Sequence, residues 1–390
     1  MANGFLCFQA TGDDSRPADE TQKSHRRVRQ SVYALELGGQ DDRFAAAEAA
    51  SAATGVEVVA PGLATATAIT DRVRTLAYTH RASELVGRTD ATLASARALL
   101  DAAGIDFEET DREETVAVRA RDVRETAGID TQRAERELGG VLTDRGFAVD
   151  LDDPDHELRA LFADDTCLLG WLETESIRDF GTRKPTDRPF FQPGGMDPLL
   201  ARALVNLAGS RPGATVLDPM CGTGGVLIEA GLVGASVLGA DAQRKMARGA
   251  AENLAHYLGG DERPAGDTTN AGRTTVGERA TGDWATLQGD ATHLPLADDS
   301  VDAVVFDAPY GRQSKIANLD LDDLVAGALA EARRVADRAV VVGDRSWAEE
   351  ARDVGWTVED RFDRRVHRSL VRHVVVLTDE PSGPDSFGVE

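Results

Sequence analysis

Val216-Leu217-Asp218-Pro219-Met220-Cys221-Gly222-Thr223-Gly224-Gly225-Val226-Leu227-Ile228-Glu229 is the stretch that decides the fold. Thr215, Val216 and Leu217 favour a strand, Asp-Pro breaks it, small residues make a turn, and an apolar run at helical spacing follows. The stretch therefore reads as strand, tight loop and helix N-terminus. Gly222, Gly224 and Gly225 let the backbone pass close to a bound molecule, and the free N–H groups of a helix start favour an anionic or electron-rich group there. A phosphate-cradling loop would end in Gly-Lys-Ser/Thr, which this one does not. The dinucleotide fingerprint G-x-G-x-x-G fails as well, because Leu227 stands at its third glycine.

Downstream, strand and helix patterns keep alternating. Strands are expected at 236–240, 285–288, 303–306 and 339–342, helices at 243–257, 321–335 and 347–353, and a closing hairpin at 357–362 and 369–377. With the first strand this makes seven, in a doubly wound parallel sheet that binds ligands at the carboxyl ends of its strands, the last hairpin supplying one antiparallel member. Asp218, Asp241 and Asp290 fall at three successive strand ends. Asp241 lies 19 positions beyond Gly222, the distance at which an acidic residue meets ribose hydroxyls in nucleotide-binding βαβ units. A single Asp at a strand end is usually only a turn residue, whereas three in register favour a ligand. The fourth strand ends in Phe306-Asp307-Ala308-Pro309-Tyr310-Gly311.

Two of these stretches carry a resemblance. Asp218-Pro219-Met220-Cys221-Gly222-Thr223-Gly224 resembles motif I of the S-adenosylmethionine (SAM) dependent methyltransferases that act on exocyclic amines of nucleic-acid bases, and Asp307-Ala308-Pro309-Tyr310 resembles their D/N-P-P-Y/F motif. The resemblance implies a Rossmann-like seven-stranded domain that holds SAM through Asp218, Pro219, Cys221, Gly222, Thr223 and Gly224. Asp241 would meet the ribose, Asp290 the adenine amino group, and the Ala291 N–H the adenine ring. Asp307, Ala308, Pro309 and Tyr310 become the catalytic set. An exocyclic amine is a poor nucleophile because its lone pair is delocalised into the ring. A carboxylate (Asp307) and a main-chain carbonyl (Ala308) accepting its two N–H bonds push density onto nitrogen, and Tyr310 stacks on the base to set an in-line approach. Asp307 need not remove a proton before transfer, since the alkylated amine is acidic. At Ala308 most such enzymes have proline, so the acceptor survives on a less rigid turn.

Arg188-Pro189-Phe190-Phe191-Gln192-Pro193-Gly194, the run Ala203-Leu204-Val205-Asn206-Leu207 and the late Val366-His367-Arg368-Ser369-Leu370-Val371-Arg372 sharpen the resemblance. Together with the two motifs they are similar to the archaeal tRNA guanine-N2-methyltransferases, which convert guanosine 10 to its mono- and dimethyl forms. Gln192 stands where that family has His. The resemblance implies tRNA as partner, a THUMP RNA-binding domain in the first half, and a target base turned out of its duplex at a cost of about a few kcal/mol. The same chemistry on another tRNA guanosine or on DNA adenine or cytosine, and an inert RNA-binding protein, are the competing readings.

The first half is an α+β pattern without a glycine-rich ligand turn. It reads as strands at 32–37, 56–59, 65–69, 116–119, 148–151, 158–161 and 166–171. Helices are expected at 44–53, at 89–102 capped by Asp90, and at 127–139 ending at Gly139-Gly140. The expected partition is a mobile extension (1–30), an α+β region (31–170), a linker (171–187), a methyltransferase domain (188–380) with an exposed insertion (259–282), and a tail (381–390). Hydrophobic residues make up 42% of the chain, ample for globular cores, and the apolar runs are too short to span a membrane. With no secretion signal and three scattered cysteines (Cys7, Cys167, Cys221), a cytoplasmic monomer without disulfides or metal is expected. A net charge of −24 and a pI near 4.7 oppose a polyanionic partner at first sight. Of 43 basic residues, however, only four are Lys and the rest Arg, a composition suited to a salt-rich cytoplasm where the Debye length is about 3 Å at 1 M. Phosphate contacts are expected from Arg72, Arg74, Arg183, Lys184, Arg365, Arg368 and Arg372, although each alone is as readily a surface ion pair.

Overall fold

A computed structural model describes residues 31–105, 114–259, 275–276, 279–310, 320–368 and 370–379. The expected extension 1–30 and tail 381–390 lie outside the described residues, as do Gly311, Ser369 and most of the 259–282 insertion.

The first half builds an eight-stranded sheet. Its strands are β1 (Tyr33–Leu37), β2 (Glu57–Ala60), β3 (Leu63–Ala66), β4 (Thr79–Asp90), β5 (Thr115–Asp122), β6 (Ala148–Val149), β7 (His156–Ala163) and β8 (Thr166–Glu175), in the order β2-β3-β1-β4-β8-β7-β5-β6. All pairings are antiparallel except those of β5 with β6 and β7. Three helices join them: α1 (Asp42–Ala49), α2 (Leu93–Ala102) and α3 (Thr131–Thr143).

Three local expectations change. Helix α1 begins at 42 because the Asp41 carboxylate accepts from Phe44 N (3.0 Å). Asp90 is not a helix cap. It ends the twelve-residue β4, paired with Thr166, and Thr92 caps α2 by accepting from Ser95 N. Strand β4 escapes the sequence because it runs between β1 and β8 and is held by main-chain pairing on both sides rather than by apolar alternation. Helix α3 starts from an Asp130 cap and runs through Gly139-Gly140, since Ala134, Leu138, Val141 and Leu142 form one buried face while the two glycines meet open space.

In the second half, α4 (Pro198–Leu207) starts from an Asp197 cap with Pro198 in its first turn. There follow β9 (Thr215–Asp218), α5 (Gly225–Leu232), β10 (Ser236–Asp241), α6 (Arg244–Leu258), β11 (Trp284–Gln288), β12 (Ala303–Asp307), α7 (Leu321–Val335), β13 (Arg338–Gly343), α8 (Ala348–Asp353), β14 (Thr357–His367) and β15 (Leu370–Thr378). The seven strands order as β11-β10-β9-β12-β13-β15-β14, with only β15 antiparallel to its neighbours. Alternate residues point to opposite layers. Val216, Val305, Val340, Val342 and Val374 pack with α4, α5 and α6, and Leu217, Val304, Phe306, Val341 and Val375 pack with α7 and α8. At the end of the insertion, Thr281 is buried, its hydroxyl donated to Leu258 O (3.0 Å).

The first of those layers continues into the first half. Leu35, Phe44, Leu76 and Tyr78 belong to the same apolar cluster as Leu204, Val216 and Phe362, and the Phe44 ring meets Phe362 edge-on at 5.1 Å. A buried polar network crosses the same boundary. Glu48 accepts from Ala77 N, Tyr78 N and Asn206 Nδ2, and Glu229 on α5 pairs with Arg183 and Arg202, at 2.7 Å each.

Candidate active site

The Asp218–Gly225 turn is built by local bonds from the ends of β9 and β10. Asp218, 2% exposed, accepts from Met220 N (3.0 Å) and shapes the turn from below. Burial first, and then the charges of Asp241 and Asp307, push its carboxyl well above the usual range, which places the three carboxylates in one neighbourhood. Cys221 donates its N–H to Ala240 O (2.9 Å), and its thiol is buried and pushed up well above the usual thiol range. Asp241 accepts from Gly222 N (3.0 Å) and Gln243 N (2.8 Å), so the second strand end clamps the turn of the first.

Gly222 sits at φ +52, and a methyl group there would stand in open space, as expected where backbone faces a bound molecule. Gly224, at φ +77, is the N-cap of α5 and packs on Ala250. Main-chain approach at Gly222, the first turn of α5 and the carboxylates of Asp241 and Asp290 are together a fitting surface for SAM. At the third strand end, Asp290 is exposed and accepts from Thr292 N and Oγ1 (2.9 and 2.8 Å), bonds that hold its carboxyl below the usual range, beside the buried Ala291.

A second loop closes over this turn, and two residues assigned no role from sequence fasten it. Arg188, 4% exposed, donates to Thr223 Oγ1 (3.2 Å) and Met196 O (3.4 Å), and its guanidinium fills the space a Gly225 side chain would need. Asn253 on α6, fully buried, accepts from Phe190 N (2.9 Å) and donates to Phe190 O (2.9 Å) and Thr223 O (2.8 Å). The Phe190 ring lies on Gly249, whereas Phe191 is 47% exposed and Gln192 accepts from Lys245 Nζ (3.3 Å).

At the end of β12 the catalytic candidates come together. Asp307 accepts from the Tyr310 hydroxyl, Arg372 Nε donates to that hydroxyl (2.9 Å), and Arg372 also reaches Asp307 Oδ2 (3.5 Å). Burial pushes Asp307 up to about 6, against the pull of Arg372 and the Tyr310 bond, and Asp344 adds to the rise. Burial also raises Tyr310. Ala308 donates its N–H to Val342 O (2.8 Å), a bond proline lacks, so the family departure is offset by a main-chain tie that fixes the turn. Pro309 is half-buried beside it.

Among the expected phosphate contacts, two are corrected and one is diverted. Arg183 is 4% exposed and paired with Glu229 and Asp179, and Arg372 is buried in the catalytic cluster. Arg72 donates to Ser51 O and to Ser210 O (2.7 Å), stitching the two halves together. In each case a partner within the fold engages the guanidinium. Arg74, Lys184, Arg365 and Arg368 are exposed. A cavity of about 1210 Å³ elsewhere, lined by Asp41, Arg43, Asp360 and His373 among others, contains none of the motif residues. Among the described residues no helix is long and apolar enough to cross a membrane.

Comparison with known proteins bears on the same residues. The UPF0020 family (RMKL-like, methyltransferase domain) matches residues 185–373. A tRNA (guanine(10)-N2)-dimethyltransferase of Methanothermobacter thermautotrophicus is 36% identical over 312 residues, covering 77% of this chain and 83% of that protein. Proteins of the same description from Pyrococcus abyssi (30% over 248 residues, 62% of this chain and 68% of that one) and Methanocaldococcus jannaschii (41% over 160 residues, 40% and 46%) also match.

Proposed function

Because this chain belongs to the archaeal tRNA (guanine(10)-N2)-dimethyltransferases, we propose that Asp307, Ala308 and Tyr310 present the N2 amine of guanosine 10 to SAM held at the Gly222 turn. The protein is a SAM-dependent enzyme that methylates the exocyclic N2 of that guanosine twice. The observation that carries the residue assignment is the meeting of Asp307, Tyr310 and Arg372 at the carboxyl edge, within electrostatic reach of Asp218.

Bound SAM supplies an electrophilic methyl group on a sulfonium. Gly222, Thr223, Gly224 and the first turn of α5 hold it by main chain, Asp241 takes the ribose, and Asp290 with Ala291 takes the adenine. Tyr310 releases Asp307 to stack on the flipped base. The freed Asp307 oxygen and the Ala308 carbonyl then accept the two N2–H bonds and concentrate density on nitrogen. After transfer the proton leaves N2 for Asp307, whose carboxyl near 6 is a competent acceptor at neutral pH. The product keeps one N2–H, which supports a second round at the same site.

We assign 31–170 to a THUMP-containing region that holds the tRNA, with β8 carrying its sheet on to Glu175, so that the linker expected at 171–187 narrows to 176–187, and 188–380 to catalysis. Arg74, Lys184, Arg365 and Arg368 are the phosphate contacts. The acid-rich, Lys-poor composition suits a salt-rich cytoplasm, where RNA is held more by shape and paired contacts than by counterion release. The test is to incubate the protein in molar salt with labelled SAM and either an unmodified tRNA transcript or a matched DNA duplex, then map the nucleosides by mass spectrometry. Dimethylguanosine at position 10 supports the reading. Label in the DNA, at another tRNA site, or in neither substrate overturns it.

A further inference from the structure

Arg372 stands out because its surroundings do not suit the phosphate contact its sequence position suggests. Strand β15 is antiparallel and enters the sheet at the ligand edge, so its first residues lie beside the end of β13, one strand beyond β12. The Arg372 side chain is 5% exposed and closes a triangle: Nε to the Tyr310 hydroxyl, a terminal nitrogen to Asp307 Oδ2, and the Tyr310 hydroxyl to Asp307 Oδ1. The guanidinium carbon lies 5.7 Å from the centre of the Tyr310 ring. In this arrangement the phenol occupies the oxygen that the guanine amine has to reach.

We propose that Arg372 is a positioning residue, which keeps Asp307 ionised and aimed while Tyr310 leaves it to stack on the incoming base. The inference rests on the reading of Asp307 as acceptor of the amine. When Tyr310 swings away, Asp307 loses its hydroxyl donor inside a buried wall. The charged groups facing it are then Arg372 from β15 and Asp344 beyond β13, with the Asp218 carboxyl, itself raised by burial, at the end of β9. Only Arg372 favours the anion. A protonated Asp307 would turn a donor toward the amine, offer it at best a neutral carbonyl oxygen, and have no capacity to take the N2 proton. Arginine suits the role because it stays charged throughout and offers several donors in a fixed fork, so one contact survives when the other is released.

The experiment compares wild type with Arg372→Gln and Arg372→Lys, using single-turnover methyl transfer across pH together with calorimetric SAM binding. The wild-type rate should fall away below about pH 6, where Asp307 protonates. For Arg372→Gln we expect that acid limb to move up by about one unit or more, with a lower maximal rate, a KM for tRNA within about twofold and unchanged SAM affinity. Arg372→Lys, which keeps the charge but not the fork, should retain the wild-type limb at a reduced rate. It decides the matter if the glutamine variant fails to bind SAM. An unmoved limb in Arg372→Gln overturns the proposal. So does a raised KM with a shallower salt dependence and an unchanged maximal rate in either variant, which would make Arg372 a phosphate contact after all. If instead wild type transfers no methyl, or Asp307→Asn transfers it at the wild-type rate, the reading of Asp307 itself fails, before Arg372 comes into question.

Discussion

Asn253→Ala removes a side chain that touches neither SAM nor base, yet it should weaken both the fold and the cofactor site. Asn253 makes three bonds of 2.8–2.9 Å from a fully buried position, two to Phe190 and one to Thr223 O. Each contributes about 0.5–1.5 kcal/mol net, and their joint loss should cost about 3 kcal/mol. Against a total stability of about 5–15 kcal/mol the variant remains folded. In urea its midpoint should fall with an unchanged slope, which separates lost stability from a changed unfolded state. The Thr223 carbonyl is pinned in the turn that meets SAM, so its release should raise the SAM dissociation constant about tenfold, or 1.4 kcal/mol, by calorimetry. A stability change under about 0.5 kcal/mol, or an unchanged SAM affinity, would refute the argument that Asn253 clips the 188–195 loop to the motif turn.

Asp307→Asn should lower the methylation rate by about 10²–10³ while SAM affinity stays within twofold. The wild-type rate should be half-maximal near pH 6, full above and lost below, because burial raises the Asp307 carboxyl and only its ionised form takes the N2 proton; a limb near pH 4 in the rate profile contradicts this. Gly222→Ala, at φ +52, should cost about 1–2 kcal/mol in thermal unfolding and in addition weaken SAM binding, because its methyl group enters the open space of the cofactor site. Gly224→Ala, at φ +77 and 3.3 Å from the Ala250 side chain, should cost about 1–2 kcal/mol in thermal unfolding. Arg183→Ala leaves Glu229 facing Arg202 alone and should destabilise the protein by about 3–5 kcal/mol with the salt dependence of tRNA binding unchanged. Lys184→Ala should do the reverse, reducing the salt slope by about 1 with stability within about 0.5 kcal/mol.

What the sequence disclosed about this fold was whatever depends on short-range pattern. The count of seven strands, the single antiparallel member and the carboxyl-edge placement of Asp218, Asp241 and Asp307 follow from strand–turn–helix alternation, and the structure reproduces α7 to the residue. Strand β4 was illegible because a strand paired on both sides needs no apolar alternation. Arg183 and Arg372 look like exposed cations until Glu229 and Asp307, distant in sequence, are brought beside them. Asn253 gives no signal within α6 because its partners are main-chain groups some thirty or more residues away. The Ala308 departure is likewise explained only by Val342 O on the neighbouring strand.

The most direct measurement gives the protein, with methyl-labelled SAM, two tRNA transcripts that differ at nucleotide 10, one with guanosine and one with inosine, which lacks only the N2 amine. Two methyl groups are expected on the guanosine and none on the inosine, with Asp307→Asn transferring to neither at a comparable rate. Equal labelling of the inosine transcript at that nucleotide, or a methyl group found on a ring nitrogen, would contradict this.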